Sequence, residues 1–119
     1  MSQSKSNMDV VSAPRRQGDA VIAEARGEID LHNSPELRTA ILSMIAAPLP
    51  KRLILNLALV PYMDSSAVAV LVEALQKLRP SGGKVMLVGL QPRVKGLLEI
   101  ARLDSVFVLA ADEQQALAL

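Results

Sequence analysis

The sequence predicts a single α/β domain with a mostly parallel central sheet and about four flanking helices. Three observations lead there. The runs "RLILNLALV" from Arg52 and "KVMLVG" from Lys84 are too short for ordinary helices. They are also too uniformly apolar for half-exposed strands, so they suit strands covered on both faces. Around them, apolar residues recur at i, i+3, i+4 and i+7, the spacing of one helical face. Proline and glycine clusters punctuate the joints. Strands alternating with helices give a parallel sheet with right-handed crossovers.

Taken in order, residues 1–7 are expected to be a flexible tail and 8–119 the domain. A first strand is expected over Met8–Ser12, and "APRRQGD" is expected to turn. "AVIAEARGEI" alternates as a strand does, with Gly27 marking a bulge or a close approach. "NSPEL" opens a helix, with Ser34 as N-cap and Pro35 in the first turn. Its apolar face is Leu37, Ala40, Ile41, Met44 and Ile45, and Pro48 and Pro50 close it. After the central strand, a second helix runs to about Arg79, where "PSGG" stops it. "PRVKGLLEIAR" makes a third helix, with Val94, Leu97, Leu98 and Ala101 at helical spacing. "SVFVLA" is a last strand, and "DEQQALAL" a short helix capped by Asp112.

Composition narrows the function. A chain of 119 residues suits one domain. Half of it is hydrophobic and the only aromatics are Tyr62 and Phe107, so the core must be aliphatic. With no cysteine there is no disulfide framework, thiol nucleophile or Cys-ligated metal site. Scattered Lys and Arg and a net charge of +1 argue against a dedicated nucleic-acid surface. The start lacks the apolar stretch of a signal peptide, and no run reaches the ~20 apolar residues of a spanning helix. A cytoplasmic protein without membrane insertion is the expectation.

One stretch carries chemistry. In "VPYMDSSAVAVLVEAL", Asp64, Ser65 and Ser66 stand between the central strand and the second helix. Loops at the carboxyl ends of parallel strands gather function, and "DLHN" should lie at the same end. A helix start offers unpaired N–H groups and partial positive charge, so a serine there is a cap or a place for phosphate. Either Asp64 or Ser65 could be the cap. A hydrolase nucleophile is not supported, since "MDSSA" lacks the G-x-S-x-G frame and His32 is the only histidine. "PSGGK" lacks the full phosphate-loop frame. No metal cluster and no cofactor motif stands out, so the protein is not expected to be an enzyme.

The pieces "GEIDLHNSPELRTAI", "RLILNLALVPYMDSSAVAVLVEAL", "GGKVMLVGLQPRVKGLLEIARL" and "VFVLAADEQQAL" together resemble a STAS domain of the anti-sigma factor antagonist type. The resemblance covers roughly Val21 to Leu117, and "DSS" is its most specific part. It implies a STAS-like fold and Ser65 as a phosphoacceptor. It implies as partners an anti-sigma factor of GHKL serine-kinase type and a serine phosphatase. The unphosphorylated form would bind the anti-sigma factor and release the sigma factor; phosphorylation would weaken that binding. The family also serves as a scaffold in stress-signalling assemblies or as a subunit of lipid-transport complexes, and that alternative stands beside the first. Two positions depart from the family pattern: Ala67 replaces a usual Gly, and Asn56 an Asp. The expected contact surface combines Met63, Asp64, Ser66, Ala67 and Val70 with Asp30 and Asn33 of the loop.

Overall fold

The structure, a computed structural model, describes residues 10–46 and 48–119. Five strands form one sheet in the order β1 (Arg15–Gln17), β2 (Ala20–Arg26), β3 (Arg52–Leu59), β4 (Lys84–Val88) and β5 (Val108–Ala110). β1 is antiparallel to β2, and every other pair is parallel. The expected α/β class and mostly parallel sheet are what the chain adopts. The central strand is β3, with Ala23, Leu55 and Leu87 side by side across the sheet.

Sequential strand order with right-handed crossovers puts the connecting helices on one face. Those helices are α1 (Ser34–Ile45), α2 (Ser65–Leu78) and α3 (Pro92–Ile100). They pack on Val21, Ala23, Leu53, Leu55, Leu57, Val85 and Leu87 in one aliphatic core. On the other face α4 (Glu113–Ala118) seats Ala116 over Ile22, Ile54, Met86 and Ala110. Period-two alternation along β2 and β3 thus supplies two cores of unequal size.

Several boundaries differ from expectation. "RRQ" in the expected turn is strand β1, joined to β2 by a tight turn at Gly18, whose φ is +62°. An exposed, charged edge strand carries no apolar alternation, so periodicity misses it. The expected strand at Met8–Ser12 is a single antiparallel bridge between Val11 and Ala25. Met8, Asp9 and the expected tail lie outside the described residues. The cap position before α1 belongs to Asn33, while Ser34 is buried inside the first turn. The last strand is short: Ser105 and Val106 lie in a turn after α3, and Phe107 packs in the core ahead of Val108. Ala101 is exposed just past the end of α3. Asp112 caps α4 as expected, accepting from the Gln115 N–H at 2.8 Å. The β2–β3 register shifts between Glu24 and Arg26, just before Gly27 (φ +79°), whose N–H donates to the Leu59 carbonyl at 2.9 Å.

Candidate functional site at the start of α2

Past β3 the chain runs beside the β2–α1 loop and is stitched to it. The Ile29 N–H donates to the Tyr62 carbonyl and the Asp64 N–H to the Ile29 carbonyl, each at 3.0 Å. Asp64 then caps α2. Its Oδ1 accepts from the Ser66 N–H at 2.9 Å and the Ser66 hydroxyl at 2.5 Å. Its Oδ2 accepts from the Leu31 N–H at 3.0 Å. The Ser66 hydroxyl, helped by the N–H groups of Ser66, Ala67 and Leu31, holds the Asp64 carboxyl below its ordinary range despite partial desolvation. Asp64 is therefore ionised at neutral pH, and one carboxylate ties two loops together.

The adjacent serines sit in different surroundings. Ser66 is half-buried with its hydroxyl committed to Asp64. Ser65 is exposed at the first helical position, and no described residue hydrogen-bonds its hydroxyl. Capping belongs to Asp64, which leaves the Ser65 oxygen available in the positive end of a 14-residue helix.

Three expected surface residues are core residues instead. Met63 and Val70 are 1% and 8% exposed, and Ala67 is fully buried. The methyl of Ala67 thus faces the interior. Val68 and Val70 are both buried as well. They stand about 160° apart across the buried side of α2, so each marks one edge of a broad interior arc. That breadth arises because α2 packs on the sheet and also beside α1, to which it is pinned by a two-pronged Arg38–Glu73 ion pair at 2.8 Å. The exposed strip of α2 carries Ser65, Ala69 and Gln76.

In the loop, Asp30 accepts from the His32 and Asn33 N–H groups, while Asn33 Oδ1 accepts from the Asp30 N–H at 2.8 Å. Asn33 also donates to the Glu28 carbonyl at 2.9 Å. Both side chains therefore shape the loop that lies against Asp64. His32 is exposed. Among the described residues, no group of three or more His, Cys, Asp or Glu side chains is placed to hold a metal ion, and no helix is long and apolar enough to cross a membrane.

Sequence reasoning places the "DLHN" loop beside Ser65 but misses the cleft that α3 forms there. Leu31, one of the "DLHN" residues, is 75% exposed beside Asp64, and Ile100 is 84% exposed. Ile100 lines a cleft of about 500 Å³ with Tyr62, Met63, Asp64, Ser65 and one face of α3. That face is Arg93, Gly96, Leu97 and Ile100, an i, i+3, i+4, i+7 set visible in "RVKGLLEI". The Arg93 guanidinium lies 4.8 Å from the centre of the Tyr62 ring.

The STAS-domain family model matches residues 11–116. The chain belongs to the STAS-domain family. Several solved structures share its fold. An anti-sigma factor antagonist from Mycobacterium paratuberculosis has a TM-score of 0.80 at 24% identity, over 92% of this chain and 93% of that one. The anti-sigma factor antagonist SpoIIAA in its unphosphorylated form has a TM-score of 0.76 at 23% identity, over 87% and 90%. The Bacillus cell fate determinant SpoIIAA in its phosphorylated form has a TM-score of 0.69 at 22% identity, over 88% and 95%. At these identities the likeness is one of fold.

Within this STAS domain, Asn56 has a local reason. Its Nδ2 donates to Glu113 Oε2 at 3.0 Å and its Oδ1 accepts from the Ala58 N–H at 2.9 Å. That Asn56 bond, with Arg15 assisting, keeps the Glu113 carboxyl below its ordinary range against desolvation. Glu113 so contributes stability above its unfolded value of about 4.3, lost as pH falls through its folded value. In Asn56→Asp two carboxylates face each other and the pair's higher ionisation rises, which reverses that slope. Urea titrations should show a larger stability deficit at about pH 7.5 than at about pH 4.5. An equal deficit at both would mean that the two side chains do not meet.

Proposed function

We propose that this STAS protein is a phosphorylation-switched anti-sigma factor antagonist acting in the cytoplasm, with Ser65 as the phosphoacceptor. Its unphosphorylated form binds an anti-sigma factor of GHKL serine-kinase type and releases the sigma factor. Phosphorylation weakens that complex, and a serine phosphatase resets it. The observation that carries this reading is the contrast between neighbours: Ser65 presents an uncommitted hydroxyl, whereas the Ser66 hydroxyl is bound at 2.5 Å to an ionised carboxylate. A phosphate on Ser66 would crowd Asp64, while one on Ser65 gains from the helix start. Exposed Leu31 and Ile100 near Ser65 offer apolar contact area that a partner would cover. Asp64 and Ser66 act in this reading as the clamp that shapes the surface, with Asp30 and Asn33 holding the adjoining loop.

The test is to recover the partner by co-purification, then incubate it with ATP and wild type, Ser65→Ala or Ser66→Ala, and map the phosphopeptide. Phosphate should appear on Ser65 in wild type and Ser66→Ala. Ser65→Ala should bind the partner yet stay unlabelled, and Ser65→Asp should bind poorly. Labelling of Ser66, or undiminished labelling of Ser65→Ala, counts against the assignment. A bound partner that never labels wild type favours the scaffold role.

A further inference from the structure

We propose that Arg93 is the cation that receives a phosphate on Ser65, pairing with it across the cleft between the start of α2 and α3. The inference rests on the reading of Ser65 as phosphoacceptor. Ser65 and Arg93 line the same cleft, which is otherwise apolar at Met63, Leu97 and Ile100. Arg93 is exposed and forms no ion pair among the described residues. Its one contact of note is the Tyr62 ring, and a stacked guanidinium keeps its in-plane N–H donors for other partners. The other charge in the cleft, Asp64, accepts from Ser66 and Leu31 and forms no ion pair with Arg93. Transfer moves the γ-phosphoryl group of ATP to the Ser65 oxygen, with ADP leaving and the hydroxyl proton going to the kinase. The new group carries about −1.5 to −2 charges and three acceptor oxygens beside Asp64. A two-pronged guanidinium contact is the geometry that such a group takes up best. Pairing would draw the Arg93 side chain over the apolar floor, so the modification would remove docking area as well as add charge.

The experiment installs phosphoserine at position 65 during translation, so no kinase is needed. Phosphorus NMR then follows the phosphate through its second ionisation, near pH 6 in the absence of a partner. The charged or titratable residues that line the cleft with it are Arg93, Asp64 and Tyr62. A nearby guanidinium favours the doubly charged form, and Asp64 acts equally in every variant. The midpoint in the wild-type background should lie at least about 0.3 unit, a twofold change in proton affinity, below that of Arg93→Gln. Arg93→Lys should fall between them. A difference under about 0.3 unit between wild type and Arg93→Gln overturns the Arg93 assignment. Because the phosphate is encoded, that result is separate from a failure of kinase labelling, which would overturn Ser65 as acceptor.

Discussion

Replacing Leu55 by alanine is expected to remove about 2–5 kcal/mol of stability, with the result in the upper half of that range. Leu55 is fully buried in the central strand, between Ala23 and Leu87. The cost depends on how far the surroundings collapse into the space left behind. Here the sheet register fixes the backbone on both sides, and the helices above are held by their own contacts with neighbouring strands. The cavity should therefore persist. Equilibrium denaturant titration reads the effect directly, as a lowered midpoint at unchanged slope. A loss below about 0.5 kcal/mol would be a surface-like result and would contradict the placement of this strand.

Ala67→Trp should be at least as damaging. Ala67 is fully buried in the first turn of α2, over the aliphatic core. Adding even a few methylenes to a packed core costs about 1–3 kcal/mol, and an indole ring adds far more volume than that. The expected result is a loss above about 3 kcal/mol, or a chain that no longer folds cooperatively. Ala69→Trp supplies the contrast. Ala69 is exposed one turn after Ser65, so its stability should change by no more than about 0.5 kcal/mol. It should nevertheless obstruct a partner docked over Ser65. If Ala67→Trp melts like wild type, the first turn of α2 is not packed as described.

These two residues show what the sequence could and could not convey. Leu55 was legible because an uninterrupted apolar run of strand length has few places to go except the middle of a sheet. The domain class and the position of Asp64, Ser65 and Ser66 at a strand-to-helix turn followed from the same logic. Ala67 and Val70 were misplaced because a small or β-branched residue at a helix start fits an interface and a core equally well. The deciding fact is α1 lying alongside α2, a tertiary contact with no local signature. Capping by Asp64 could not be separated from capping by Ser65, since both residues favour that position. The cleft was missed for another reason. Arg93 and Ile100 stand on α3, and only the fold brings that helix beside Ser65. Strand β1 was hidden by its charge.

The carboxylate of Asp64 joins residues that are far apart in the chain, and this has a consequence for recognition. Leu31 stands 33 positions before Asp64, and its backbone is fastened to that side chain. Whatever approaches Ser65 therefore meets a conformational epitope, assembled from three separate stretches of polypeptide. A synthetic peptide copying Val60–Leu75 would carry the serine but none of its neighbours from the β2–α1 loop or α3. If the proposed kinase or anti-sigma factor reads this assembled surface, its recognition is conditional on folding, and the unfolded or newly made chain would not present it.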